Sequence, residues 1–168
     1  MRLGNKVAIV TGAGSGIGQG IASRFAQEGA QVLVNDINAD SGEHVADAIR
    51  KAGGSARFVQ ADVTRDADWV RLAQSAESEF GRLDVVVNNA GWTHRKKPFL
   101  EVTEAEFDRV YAVNVKSVYL SARHVLPAFR RQGGGCFVNI ASTAGLRPRP
   151  GLIVYNSSKA AVILMSKA

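Results

Sequence analysis

The 168-residue chain predicts a doubly wound α/β fold, a parallel sheet with helices on both faces in three αβα layers. Three observations predict it. Short runs of Val, Ile and Leu, bounded by Gly, Asn, Asp or charges, alternate with longer amphipathic stretches. Four of the five runs are nearly continuous in apolar residues, as in parallel strands covered on both faces. The alternation of strand and helix is regular along the chain, which calls for right-handed βαβ crossovers.

Lys6–Thr11 (KVAIVT) reads as the first strand, Gln31–Asp36 (QVLVND) as the second and Ser55–Asp62 as the third. Leu83–Asn88 is the fourth and Cys136–Ala141 the fifth. Ile17, Ile21 and Phe25 recur at four-residue steps, the inner face of a first helix that stops at Gly29. Asp40 and Glu43 have capping-box spacing ahead of Val45, Ala46 and Ile49. Thr64 caps a helix whose inner face is Trp69, Ala73, Ala76 and Phe80. Thr103 and Glu106 form another box ahead of Phe107, Val110, Tyr111 and Asn114. A long helical stretch then reaches Arg131 and stops at Gly133-Gly134-Gly135.

A last helix begins at Tyr155, and no strand follows it. Strand five would then be an uncovered sheet edge, which folded proteins avoid. The expectation is one domain over residues 1–168 that is incomplete at its C-terminus.

Composition excludes several classes. With 46% hydrophobic and 21% charged residues, the chain is neither disordered, collagenous nor a coiled coil. No apolar run could span a bilayer, and MRLGNKVAIVTG has no small-residue cleavage site of a signal peptide. A single Cys136 allows no intrachain disulfide, so a cytoplasmic location is expected. Cys136 itself, heading an apolar strand, is expected in the core.

The net charge of +6 raises the question of nucleic acid. The positive residues are scattered, however, and the densest run is His94-Arg95-Lys96-Lys97. No zinc-finger spacing or aromatic RNA-binding signature accompanies it, so a solvated loop and no nucleic-acid partner are expected. An anionic substrate, or an acidic carrier, is the middle reading. His44, His94 and His124 have no ligand spacing, which points to solvated or packing roles and no metal.

The chemistry concentrates at strand ends. TGAGSGIG, from Thr11 to Gly18, lies where the first strand hands over to the first helix. A helix N-terminus offers free N–H groups and partial positive charge to a pyrophosphate, and glycines allow close approach. The spacing fits G-x-x-x-G-x-G through Gly12, Gly16 and Gly18, whereas G-x-G-x-x-G and a phosphate-binding Gly-Lys loop do not fit. An ordinary tight turn is the alternative.

Asp36 closes the second strand eighteen residues beyond Gly18, where an acid accepts hydrogen bonds from the adenosine ribose and repels a 2′-phosphate. Neither Ser15 nor Ile37 offers that phosphate a cation, so NAD(H) is preferred over NADP(H). The alternative for Asp36 is a turn role in NDINAD.

Tyr155 and Lys159, four apart, share a helix face. A free phenol titrates near 10, and a neighbouring ammonium stabilises its phenolate. Ser142 closes strand five at the sheet edge where such folds bind ligands. Asn114 falls on the apolar face of its helix, as a structural amide or part of a polar relay. Trp92, directly after NNAG, either walls the site mouth or packs the loop.

Together these motifs resemble the short-chain dehydrogenase/reductase family: TGAGSGIG, Asp62-Val63, Asn88-Asn89-Ala90-Gly91, Asn114, Ser142 and Tyr155-x-x-x-Lys159. The likeness runs along the whole chain in order. NNAG through YNSSK is most similar to bacterial members labelled 3-oxoacyl-(acyl-carrier-protein) reductase or glucose 1-dehydrogenase.

The resemblance implies a Rossmann-like fold and hydride transfer between a nicotinamide cofactor and a small carbonyl or alcohol. It makes Tyr155 the general acid or base and has Ser142 hydrogen-bond the substrate oxygen. Lys159 holds the nicotinamide ribose, and Asn114 supports a water linking Lys159 to solvent. Gly12, Ser15, Gly16, Ile17, Gly18 and Asp36 take the dinucleotide, with Asp62 and Val63 at adenine. Asn89, Ala90 and Gly91 line the cleft, which Tyr155 and Lys159 also touch. It further implies a homo-oligomer at full length, associating through the helix that ends at Arg131 and the last helix. Members continue with two more strands and a substrate loop, so this chain lacks the last strands of that fold. A non-catalytic NAD-binding module or an inactive fragment is the alternative.

Overall fold

A computed structural model describes every residue from Met1 to Ala168. Its five strands are β1 Val7–Thr11, β2 Gln31–Asp36, β3 Ser55–Gln60, β4 Val85–Asn88 and β5 Cys136–Asn139. They form one sheet in the order β3-β2-β1-β4-β5, every pair parallel. The chain therefore winds outward from β1 to β3, then crosses back to β4 and winds the other way. That reversal leaves a crevice between the C-terminal ends of β1 and β4, where open α/β sheets bind ligands. The Rossmann-like class expected from the sequence is the one observed.

Side-chain alternation splits the core into two. Val10, Val32, Val34 and Val87 pack against Ala22 and Ala26 of α1 (Gly16–Gln27) and Val45 and Ile49 of α2 (Ala39–Lys51). Val7, Ile9, Leu33 and Val86 face Trp69 and Leu72 of α3 (Asp66–Phe80) and Leu120, Val125 and Phe129 of α5 (Ser117–Arg131). All eight strand residues are fully buried, each burial contributing about 1.5–3 kcal/mol. The short α4 (Glu104–Tyr111) leads into α5, and α6 (Ile153–Met165) packs beside α4 and the segment joining it to α5.

Several local expectations change. The buried row of α1 is Gly18, Ala22 and Ala26, while Ile17 is 68% exposed and Ile21 and Phe25 are half-buried. Small residues let this helix lie close to the sheet, so the row adjacent to the bulky one turns inward. Helix α2 is capped by Asn38, whose Oδ1 accepts from Ser41 N at 2.9 Å, so Asp40 lies inside the first turn. Thr64 does not cap α3, which begins after Arg65. Its hydroxyl instead donates to Asp62 Oδ1 at 2.7 Å.

The Thr103–Glu106 capping box is present. The long helix reaches Arg131 as expected but contains a π turn at Ala112–Lys116, around Asn114. Strand β3 stops at Gln60 and β5 at Asn139. Cys136 is exposed rather than in the core, because β5 is the outermost strand and Cys136 its first residue, beyond a glycine triplet. Within the run expected to be solvated, His94 is buried, with Nδ1 donating to Arg95 O at 2.8 Å. No helix is long and apolar enough to cross a membrane.

At the opposite end of the strands from the crevice, Asp84 holds β1 and β4 together. Its carboxylate accepts from Val7 N (2.9 Å), from Arg82 Nε (2.8 Å) and Nη2 (2.6 Å), and from Lys6 Nζ (3.4 Å). Burial pushes its pKa up, but Arg82, the Val7 N–H and Lys6 outweigh burial and hold it below the usual carboxylate value. A depressed folded-state pKa stabilises above the unfolded value near 3.8, and that contribution is lost as pH falls through the folded one. Asp84→Ala should lower unfolding free energy by about 2–3 kcal/mol in urea melts at pH 7, since it strands a buried N–H and two cations. Asp84→Asn should shrink the loss of stability between pH 5 and pH 2, on the order of that linkage.

Candidate active site

The glycine loop shapes one wall of the crevice. Gly12 and Gly16 take φ of +60° and +56°, the left-handed region that L side chains rarely adopt. A Cβ on Gly18 would fall 2.3 Å from Gly12 O and 2.5 Å from Asn89 Nδ2, so only glycine lets α1 start this close to β1. Ser15 is the extended N-cap of α1, its hydroxyl makes no capping bond, and no acid occupies the first turn. The helix N-terminus is thus left electropositive.

Thr11 and Asn89 fasten the two strands that bound the crevice. Thr11 Oγ1 donates to Val87 O (3.3 Å) and accepts from Asn89 N and Ala90 N (3.1 Å each). Asn89 Nδ2 donates back to Thr11 O (2.9 Å) and Gly12 O (3.1 Å). The Asp36 carboxylate accepts from Gly14 N (2.9 Å) and Asn38 N (3.0 Å), so the turn role read from NDINAD is real and leaves Asp36 at the crevice rim. Asn35, buried beside it, donates to Val59 O and Ala61 O (3.2 and 3.1 Å) and sets the approach of Asp62.

The resulting cleft has a volume of about 440 Å³. Gly12, Ser15, Gly16, Ile17, Asp36, Asp62, Val63, Asn89, Ala90 and Gly91 all line it. Gly18 does not; it lies behind the wall as the packing residue just described. Trp92 also lines the cleft, with the Arg109 guanidinium 4.4 Å from its ring centroid, so the mouth reading of Trp92 holds and its partner is new. Arg109 is the one cation in the lining.

The remaining predicted residues gather beyond Gly91. Lys159 is 5% exposed, its Nζ donates to Ile140 O at 2.7 Å, and the Tyr155 ring centroid lies 5.9 Å from it. Burial pushes the Lys159 ammonium below its usual pKa. A methyl group on Gly91 would stand 3.5 Å from Asn114 Oδ1 and 3.7 Å from Lys159 Nζ, so Gly91 is the joint between cleft and polar cluster. Ser142 lies just past β5, its Oγ accepting from Ala144 N at 3.1 Å. Gly145 allows this turn to lie on α6, because a Cβ there would come within 2.7 Å of the Lys159 carbonyl carbon.

Asn114 is buried in the π turn with its whole amide engaged. Oδ1 accepts from Trp92 N (2.8 Å), and Nδ2 donates to Trp92 O and Ser158 Oγ (3.0 Å each). It fixes Trp92 from both sides, and π turns inside α-helices recur at functional sites. Sequence reading gave Thr11 only as the end of the first strand and the start of the glycine loop, and singled out neither Asn35, Arg109 nor Ser158 as a site residue. A polar residue inside an otherwise apolar strand was the available signal for Asn35. Arg109 left none, since an exposed Arg on a helix is ordinary.

A parallel sheet with a glycine-lined crevice at its switch point, an acid at the end of β2 and a Tyr–Lys helix beside it define a dinucleotide-type α/β protein. The chain belongs to the short-chain dehydrogenase family, whose model matches residues 6–168. It is 53% identical over 167 residues to 4-formylbenzenesulfonate dehydrogenase of Comamonas testosteroni, covering 99% of this chain and 66% of that protein. It is thus shorter than the curated relatives it matches. Among solved structures, 3-ketoacyl-(acyl-carrier-protein) reductase from Brucella melitensis complexed with NADH superposes with a TM-score of 0.93 at 43% identity, over 98% of this chain and 69% of that one. A 7α-hydroxysteroid dehydrogenase complexed with NADH and 7-oxo glycochenodeoxycholic acid does so with 0.93 at 42%, over 98% and 64%.

Asn114→Ala should cost about 2–3 kcal/mol in stability by stranding the Trp92 N–H and C=O. It should also weaken the near-ultraviolet circular dichroism of tryptophan at temperatures where the far-ultraviolet signal is unchanged.

Proposed function

We propose that the protein is an oxidoreductase that interconverts a carbonyl and an alcohol with NAD(H), Tyr155 acting as general acid in one direction and base in the other. The observation that carries the reading is the joint at Gly91, where the glycine-walled cleft meets the cluster of Asn114, Lys159 and Tyr155. The cleft suits a dinucleotide: unblocked N–H groups at α1, a close backbone approach at Gly12 and Gly16, and the Asp36 carboxylate at its rim. Asp62 and Val63 suit adenine, and Asn89, Ala90 and Gly91 suit the remainder of the dinucleotide, all being in the lining. When bound, the nicotinamide ring supplies or accepts the hydride.

The chain's own residues manage the proton. As the substrate oxygen gains charge during reduction, the Tyr155 hydroxyl gives it a proton and the Ser142 hydroxyl donates a hydrogen bond to it. Lys159 stabilises the phenolate left behind. Its ammonium has three donors, one committed to Ile140 O, which leaves two for the phenolate side and a cofactor hydroxyl. The depressed pKa of Lys159 makes its own proton easier to pass on. Asn114, which with Lys159 flanks Gly91, holds Trp92 and would border the path by which a water resupplies that proton. Oxidation runs the same steps backwards.

Asp36 supports NAD(H) over NADP(H), because its carboxylate would face a 2′-phosphate with no Lys or Arg at Ser15 or Ile37. Two of the relatives carry acids in their names, a sulfonate and a cholic-acid conjugate, and a third a carrier-bound acyl group. These names support a ring-bearing small molecule with an anionic group, and secondarily an acyl carrier, as the substrate class. The single free Cys136 supports a cytoplasmic location. Exposed Tyr119 and Leu126 on α5 support a homo-oligomer of the whole protein.

Tyr155→Phe should reduce kcat at least about 100-fold, the usual contribution of a positioned proton donor, while the Kd for NADH stays within about threefold. Comparable turnover by this variant would remove the mechanism; unchanged NADH binding without turnover by the wild type on carbonyls and alcohols would favour the non-catalytic module. Asp36→Ser should raise affinity for NADPH relative to NADH by about tenfold or more, read as a ratio of dissociation constants.

A further inference from the structure

The cleft proposed for the dinucleotide is unevenly charged. Both acids of its lining, Asp36 and Asp62, follow β2 and β3, and neutral groups satisfy them. Gly14 N and Asn38 N donate to Asp36, and the Thr64 N–H and hydroxyl donate to Asp62. The one cation of the lining is Arg109, from α4 in the segment that follows β4. With one cation against two acids the lining is negative by one charge, and without Arg109 it would be negative by two.

Arg109 spends none of its charge on the protein. None of the ten ion pairs of the chain includes it. Its guanidinium lies 4.4 Å from the Trp92 ring centroid, a contact that uses the flat face of the group and leaves its N–H edges open. The platform beneath it is fixed, because Asn114 of the π turn holds both Trp92 N and Trp92 O. Val113 of the same turn also lines the cleft. A guanidinium held flat on a fixed indole has little freedom left to lose when an anion arrives.

The scale of the cleft decides how far that charge reaches. A compact space of about 440 Å³ is roughly 9 Å across, about one Debye length at physiological salt. Arg109 therefore acts on an anion anywhere in the cleft, with or without a direct hydrogen bond. A diphosphate brings two further negative charges into a lining that is already negative. Only the unblocked N–H groups at the start of α1 and the Arg109 guanidinium offset them.

We propose that Arg109 is the residue that makes the cleft favour phosphorylated over unphosphorylated adenine compounds. The proposal rests on the dinucleotide reading and adds to it a specificity-determining side chain on the wall opposite the glycine loop.

The test is isothermal titration with ADP, with NADH and with uncharged adenosine at 50 mM NaCl. Arg109→Ala should weaken ADP and NADH about three- to tenfold and leave adenosine within about twofold of wild type. At 500 mM NaCl the difference between variant and wild type should largely vanish. Arg109→Lys, which keeps the charge and loses the flat fork, should recover most of the loss. Arg123→Ala, which removes the same charge from α5 outside the cleft, should change nothing. Unchanged ADP affinity in Arg109→Ala overturns the proposal. So does an equal loss of adenosine, which would make Arg109 a prop for the wall, and so does a Lys variant no better than the Ala one. If the wild type binds neither ADP nor NADH, the dinucleotide reading fails by itself. Inorganic pyrophosphate titrated into wild type and Arg109→Ala then still decides whether Arg109 gives the cleft its preference for anions.

Discussion

The hydrogen bonds between Thr11 and the Asn89-Ala90 backbone are the constraint on which the site depends. The ladder of parallel strands β1 and β4 ends at Val10 and Val87, and a sheet opening past them would leave the Thr11 hydroxyl and the Asn89 and Ala90 N–H groups in need of partners. Thr11 and Asn89 close that gap without filling the crevice, Thr11 as both donor and acceptor and Asn89 as donor from its backbone and its side-chain amide. Once they are locked, Gly12 must turn left-handed, Gly18 must carry no side chain, and the start of α1 points at the opening. At the glycine loop the electropositive character of the cleft wall follows from packing at the sheet, since no acid occupies the first turn of α1.

A second set of ties reaches from this crevice to the Tyr–Lys helix. Trp92 is gripped at both backbone atoms by Asn114, Asn114 by Ser158, and Lys159 by Ile140 O. Each link joins a different element: the loop after β4, the π turn, α6 and the end of β5. Burying an ammonium against one carbonyl costs stability, and the same burial lowers the pKa of Lys159. Lys159 thus both ties α6 to the end of β5 and stands, buried, between the cleft and Tyr155, which is where the proposed proton transfer needs an ammonium.

Much of this was legible in the sequence because its signals are local. The strand runs, the glycine spacing, the Thr103–Glu106 box and the Tyr155–Lys159 step each depend on residues within one element. What failed depended on neighbours. The four-residue rows of α1 containing Ile17 and Ala22 are equally helical in period, and only sheet packing selects the row of small residues. Cys136 heads an apolar run, but its burial depends on whether another strand lies outside β5. Asn114 was picked out as a buried amide, whereas its hold on Trp92 required a π turn that hydrophobic period does not announce. Arg109 on Trp92 and Lys96 against Gly151 bring together residues far apart in the chain.

Whether the crevice fastened by Thr11 and Asn89 takes a dinucleotide is decided by the amide chemical shifts of the nitrogen-15-labelled protein, followed as NADH is added. Saturable shifts are expected at Gly14–Gly18, at Asp36–Asn38 and at Asn89–Trp92, with the amides near Asp84 at the far end of the sheet unmoved. Shifts that never saturate, or that fall outside those three segments, would contradict the dinucleotide reading.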